Sequence, residues 1–213
     1  MPIFVAMKKL LILCLFPILS FAQAPIPAEV MFGNNRTNFL MILNRPVDAK
    51  GRFHFFNVTV GAADYQNTPS ETEIVVNNSL TYALGHNFHA TAGAQWHFKL
   101  GFVPTVGVEY LKARPDFLLV IFPTFNMLPN KNLETVGILE YKPALSPKTR
   151  LYTRLQAMYN QDMTLEAHAR SAYSVRAGIS IKQFTVGLGS NLDYYGPMKF
   201  DKTNHGLFVQ VRL

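Results

Sequence analysis

Ser171–Tyr195 reads SAYSVRAGISIKQFTVGLGSNLDYY and carries the plainest periodicity in the chain. Tyr173, Val175, Ala177, Ile179 and Ile181 alternate with Ser174, Arg176, Gly178, Ser180 and Lys182. After Gln183 the pattern restarts, with Phe184, Val186, Leu188, Leu192 and Tyr194 on one parity. Thr185, Gly187, Gly189, Asn191 and Asp193 take the other. Side chains of a strand point alternately to its two faces, so this pattern predicts strands with one apolar and one polar face. Two such strands with almost nothing between them predict an antiparallel hairpin. The question is what the apolar face meets.

Outward from the hairpin, the same alternation recurs. Phe88, Ala90, Ala92, Ala94, Trp96 and Phe98 alternate with His89, Thr91, Gly93, Gln95 and His97. Leu151, Thr153, Leu155, Ala157 and Tyr159 alternate with Tyr152, Arg154, Gln156 and Met158. The chain ends on Leu207, Val209, Val211 and Leu213 against Phe208, Gln210 and Arg212. Weaker segments cover Glu29–Phe32, Asn38–Asn44, Arg52–Gly61, Glu71–Leu84, Phe102–Leu111, Asp116–Phe125 and Leu133–Lys142. Loops are expected at Ala62–Ser70, Leu128–Asn132, Gln161–Arg170 and Tyr195–His205, with short turns at Gly85–Asn87 and Lys182–Gln183. Ten to twelve strands result. Connections alternate long and short, the rhythm of an up-and-down barrel with both termini at one end, and that even count favours twelve.

Composition bears on the environment. The chain has 213 residues, 49% of them hydrophobic, with 17 Phe and 9 Tyr. No apolar run beyond the first residues approaches the roughly 20 needed for a membrane helix; Phe117–Phe122 ends at Pro123. High apolar content delivered in alternation is the mark of a transmembrane β-barrel. Lys8 and Lys9, the apolar run Leu10–Leu19 and small residues at Ser20 and Ala22 read as a secretory signal over residues 1–22, cut before Gln23. Met7 is an alternative start. A lipoprotein signal at Cys14 competes, but Leu13 occupies the place of a small residue. Residues 23–213 then form one barrel without a cysteine, which excludes disulfides and thiolate metal sites. The formal charge of +7 falls to +5 once Lys8 and Lys9 leave. No basic run is dense enough for nucleic acid, and acidic lipid headgroups are the expected counterpart.

If the apolar parity meets lipid, Glu109, Glu140, Arg154, Arg176, Lys182, Asp193 and Arg212 line the lumen. Arg154, Arg176, Asp193 and Arg212 fall on four consecutive strands and are expected to form a ladder, with Arg176 and Asp193 as neighbours. Two readings stay open. One is a basic lining that selects small anionic solutes; the other is a salt-bridge network that plugs a narrow barrel. On the lipid parity, Trp96, Tyr159 and Tyr194 are placed at the outer rim and Tyr82, Tyr110 and Tyr141 at the inner rim, as two aromatic girdles.

No catalytic constellation is expected. In His168-Ala169-Arg170-Ser171, the odd spacing of His168 and Ser171 puts them on opposite faces of a regular strand. His89 and His97 lie about 26 Å apart along an extended strand and cannot share a metal. His54, His86 and His205 read as turn and rim residues. No metal or cofactor is expected.

The terminal strand Gly206–Leu213 resembles the C-terminal recognition strand of Gram-negative outer-membrane barrels, although that family usually ends in an aromatic where this chain has Leu213. The signal ending Ser20-Phe21-Ala22-Gln23 and the segment Leu151–Gln156 are similar to small uncharacterised barrels of the Bacteroidota. The resemblance implies an outer-membrane location and engagement of the barrel-assembly machinery through the last strand, and it implies no activity. The expected protein is an antiparallel up-and-down transmembrane barrel, a narrow pore or structural barrel. The alternatives are a barrel enzyme acting on lipid or protein, and a soluble lipocalin-like binder with the apolar parity turned inward.

Overall fold

The structure, a computed structural model, describes residues 25–66, 68, 71–127 and 131–213. The signal segment, Cys14, residues 128–130 of the Leu128–Asn132 loop and residues 67, 69 and 70 of the Ala62–Ser70 loop lie outside the described residues.

Thirteen strands follow one another in sequence: β1 (Pro27–Gly33), β2 (Arg36–Pro46), β3 (Phe53–Asp64), β4 (Glu73–Gly85), β5 (Phe88–His97), β6 (Gly101–Arg114) and β7 (Phe117–Asn126), then β8 (Asn132–Tyr141), β9 (Ala144–Ser146), β10 (Thr149–Asp162), β11 (Ala167–Ile181), β12 (Phe184–Tyr195) and β13 (Phe200–Arg212). β9 is a three-residue strand that pairs only with the start of β10. The other twelve form a closed antiparallel barrel. Each pairs with its predecessor, and the seam is made by β1 on β13, from Pro27 opposite Arg212 to Gly33 opposite Gly206. Ile26 and Leu213 continue it with two reciprocal backbone hydrogen bonds of 2.9 and 3.0 Å. Closure leaves no unpaired edge, so every strand satisfies its backbone within the wall.

The alternation sorts radially. In the β11–β12 hairpin, Val175, Ile181, Val186 and Leu188 are exposed on the outside, while Arg176, Ser180, Thr185 and Asp193 are buried within. Leu188 is 67% exposed and Arg176 only 4%. Among the described residues, buried polar and charged side chains outnumber buried apolar ones, the reverse of a water-soluble core. A lipocalin-like binder would need the opposite orientation.

The connections differ from the expected long-and-short rhythm. Tyr195–His205 reduces to residues 196–199 because β13 starts at Phe200, and Gln161–Arg170 reduces to 163–166. Their polar residues continue the ladder above the apolar belt, because the lumen-facing parity stays polar to the strand ends. At the terminal end, the β2–β3 turn is closed by Asp48, which accepts the Phe53 N–H at 2.7 Å and the Lys50 N–H at 3.2 Å. The Phe53 hydrogen bond is the main reason that its carboxyl is held below the usual range.

A cysteine pair tests closure directly. Val30 and Val209 are cross-strand partners at the seam. Val30→Cys combined with Val209→Cys is expected to crosslink in the folded protein and to speed migration of the unreduced chain on electrophoresis. A pair shifted by one residue, Val30→Cys with Phe208→Cys, points to opposite faces and stays uncrosslinked.

Candidate functional site: the ion-paired lumen

Inside the barrel the polar residues form layers that cross the lumen. Nearest the termini, the Tyr152 hydroxyl lies 3.0 Å from Glu140 Oε1 and 3.2 Å from Gln210 Oε1, while Lys142 donates to Glu140 Oε2 at 2.5 Å. Tyr152 packs with Phe208 and Met31 in a buried apolar cluster. These residues come from β10, β13 and β1, so the cluster reaches across the interior and does not merely line it.

The next layer centres on Glu29 of β1. Its Oε1 accepts from Arg154 Nη2 at 2.9 Å and from Arg176 Nε at 2.8 Å. Arg154 and Arg176 are register partners on β10 and β11, so two like charges face each other and need a shared counter-ion. Arg176 also donates to Asn191 Oδ1 at 2.9 Å and covers the Phe208 ring at 5.8 Å. It has room because its partner on β12 is Gly189. A Cβ there would come 2.9 Å from Met31 Sδ and 3.1 Å from Arg176 Cδ. The space left beside Glu29 and Arg154 is a cavity of about 10 Å³, enough for a single water.

Toward the far end, four charges close a square. Arg36 donates to Asp193 Oδ2 at 2.6 Å, and Arg170 donates to Asp193 Oδ1 at 2.7 Å and to Glu73 Oε2 at 3.0 Å. Arg36 and Glu73 approach to 3.9 Å. Tyr195 donates to Glu73 Oε1 at 2.8 Å and carries the Arg170 guanidinium over its ring. Lys202 pairs with Glu71 at the mouth. There a depression of about 370 Å³ opens between Asn35, Asp64, Asp201 and Thr203.

The opposite wall is quieter. Thr91, Gln95, Thr105 and Thr124 are buried there without charge, and Phe56 meets Phe122 edge-on across non-adjacent strands at 6.0 Å. Glu109 has His89 as its ionic neighbour, at 3.6 Å. Among the described residues, no group of three or more His, Cys, Asp or Glu could hold a metal ion.

Of the residues expected in the lumen, Glu109, Glu140, Arg154, Arg176 and Asp193 point inward. Lys182 does not. It is exposed in the β11–β12 turn at φ 54°, because the hairpin is so tight that its last alternating residue becomes the turn itself. Arg212 caps the same turn by donating to the Lys182 carbonyl at the rim. No single ladder forms. Asp193 lies opposite Ala172 and Arg176 opposite Gly189, so the two belong to separate layers. The expectation missed Glu29, Arg36, Glu73 and Arg170. Glu29 sits in a short seven-residue strand with little alternation to display, Arg36 lies between two expected strands, and Arg170 lies where a loop was expected.

On the outside, Trp96, Tyr159 and Tyr194 lie near the far ends of β5, β10 and β12. Tyr82 and Tyr141 lie near the terminal ends of β4 and β8. Tyr110 stands beside Phe88 with ring centres 5.1 Å apart. The expected separation of His168 and Ser171 is overturned. Asn160 pairs with Arg170 and Gln161 with His168, so Ala169 is an extra residue, a bulge that turns His168 to the outside. His168 Nε2 and Ser171 Oγ are 2.8 Å apart.

This wall and lumen define a class by shape: a closed twelve-stranded antiparallel barrel with a polar interior. Among solved structures, the KdgM porin superposes with a TM-score of 0.50 at 10% identity, over 88% of this chain and 98% of that one. The NanC porin gives 0.49 at 11%, over 89% and 100%, and OprD of Pseudomonas aeruginosa 0.42 at 9%, over 85% and 60%. At such identities the likeness is one of fold. No protein-family profile and no curated protein matches the chain, and none of these comparisons carries the resemblance to barrels of the Bacteroidota.

Glu29→Gln removes the shared counter-ion and leaves Arg154 and Arg176 buried and opposed. Breaking a buried ion pair from one side costs about 3–5 kcal/mol. Urea unfolding in detergent is expected to show a loss of that order, with part of it recovered when Arg154→Met is added.

Proposed function

We propose that the chain is an integral outer-membrane β-barrel whose lumen is closed by its own side chains, a structural barrel or a narrow pore. The radial sorting carries this reading. A wall with Val175, Leu188, Leu207 and Val209 exposed on the outside suits lipid, and the paired charges inside suit an enclosed polar interior. Strands of ten to fifteen residues, as in most of the wall, reach or exceed the roughly 9–11 that a tilted strand needs to cross a bilayer. The outward aromatics near both strand ends fit two interfacial girdles, with membrane lipid as the partner. Residues 1–22 supply export and removal as a signal. The last strand, which both closes the seam and resembles the recognition strand of outer-membrane barrels, supports assembly by the barrel machinery.

Passage of solutes is read from the lumen. The layers at Glu29 and at Asp193 cross the interior, and Tyr152, Met31 and Phe208 pack within it as well, which supports the plug over the anion-selective lining. Small solutes pass only if those pairs part. No catalysis is assigned to the lumen.

Two measurements test the reading. Unboiled protein is expected to migrate differently from boiled protein and to fractionate with outer membranes; identical migration and a soluble periplasmic protein would overturn it. Leu188→Arg, on the outer wall, is expected to cost about 2–4 kcal/mol in lipid. In planar bilayers the parent barrel is expected to conduct little. Glu29→Ser, Arg154→Ser and Arg176→Ser together remove one layer without stranding a charge and are expected to produce discrete conductance steps. Large open-channel steps in the parent would refute the plug.

A further inference from the structure

The outer wall carries hydrogen-bonded serine–histidine pairs at Ser190–His205 and at His168–Ser171, and the second is the one buried under aromatic rings. His168 and Ser171 lie near the far end of β11. Ser171 stands between Tyr159 on β10 and Tyr194 on β12. The His168 ring packs against Tyr159 with 5.7 Å between ring centres. Ser171 Oγ is 2.8 Å from His168 Nε2, and His168 Nδ1 is 2.7 Å from the Gly196 carbonyl oxygen. A carbonyl oxygen only accepts, so Nδ1 of the neutral ring bears the proton and Nε2 offers its lone pair to the Ser171 hydroxyl. That is the tautomer of a general base beside a nucleophile, with the Gly196 carbonyl as the group that orients the base.

Local structure holds this arrangement in place. The Gly196 N–H donates to the Ala169 carbonyl at 2.8 Å, so the bulge and the β12–β13 loop clamp each other. Gly196 adopts φ 68°, which favours glycine. That backbone bond already ties the loop to β11. A structural tie needs neither a hydroxyl at position 171 nor a bulge that rotates His168 outward.

We infer that His168 and Ser171 form an acyl-transfer dyad that acts on the fatty-acyl esters of membrane lipids. The inference rests on the membrane reading above. In a bilayer, lipid ester bonds sit at the boundary of headgroup and hydrocarbon, the depth at which tyrosine belts gather. Tyr159, Tyr173 and Tyr194 surround the pair at that boundary. Ser171 is covered by these rings at 6% exposure, while Tyr159 is 48% exposed. The Tyr159 hydroxyl, which now donates to Gln161 Oε1 at 2.7 Å, is a polar donor on the same face for the developing oxyanion.

In the first step Ser171 Oγ bonds to the acyl carbonyl carbon and its proton passes to His168 Nε2. The ester C–O bond then breaks, and the imidazolium returns that proton to the departing lipid alcohol. Water attacks the acyl-serine, giving a proton to His168. The fatty acid leaves as the proton returns to Ser171 Oγ.

A fluorophosphonate probe on the refolded barrel in detergent micelles at pH 8 tests the dyad. The folded parent is expected to be modified on the peptide that contains Ser171. Ser171→Ala is expected to be unmodified, and His168→Gln to react at least about 100-fold more slowly. Fatty acid is expected to be released from dioleoylphosphatidylcholine vesicles that contain the parent, and not from vesicles with either variant. Heat-shifted migration and vesicle insertion of each protein are scored separately, so a failed membrane reading is distinguishable from a failed dyad. An inserted, folded parent that is unmodified at Ser171 and releases no fatty acid overturns the inference. Equal modification of His168→Gln removes the base.

Discussion

The carboxylate of Glu29 is where the interior of this barrel is decided. Arg154 and Arg176 face each other across a strand pair inside the wall, and holding two buried charges there without a counter-ion is costly. Glu29 supplies it from β1, three strands beyond β11 around the barrel. One oxygen thereby ties the first strand to the tenth and eleventh across the lumen. Closure at the β1–β13 seam and the packing of Met31, Tyr152 and Phe208 follow from the same placement, since β1 reaches its partners only when the sheet is shut.

The far square of Arg36, Glu73, Arg170 and Asp193 works differently. Two cations meet two anions, so charge balances within the layer, and the strands involved lie on facing parts of the wall. Bonds of this kind fix the width of the barrel where backbone pairing alone would not. The bulge at Ala169 belongs to this level. It leaves Arg170 pointing inward for Glu73 and Asp193 while sending His168 outward, so one extra residue serves both faces of the wall.

Much of the architecture was legible in the chain. The hairpin from Ser171 to Tyr195 alternates on both sides of its turn, and its two strands and its inward Arg176 and Asp193 follow from a period of two. The same holds for Glu109, Glu140 and Arg154. The unread parts share a cause. Glu29 lies on a strand of seven residues, too short for alternation to stand out. Arg36 and Arg170 sit in polar ends of strands, where nothing distinguishes a lumen-facing ladder from a loop. Lys182 keeps the alternating pattern but occupies the turn, because periodicity marks the face and not where the strand stops.

By itself the sequence determined most of the strands and their two faces, because side-chain direction along a strand is a local property of the backbone. It did not determine which charges meet. Partners across a lumen are far apart in sequence, and their pairing depends on closure, register and the shift made by a single bulge. The contact between His168 and Ser171 shows this most plainly: three residues apart on a regular strand they point to opposite faces, and only the extra residue accommodated between β10 and β11 brings them to one.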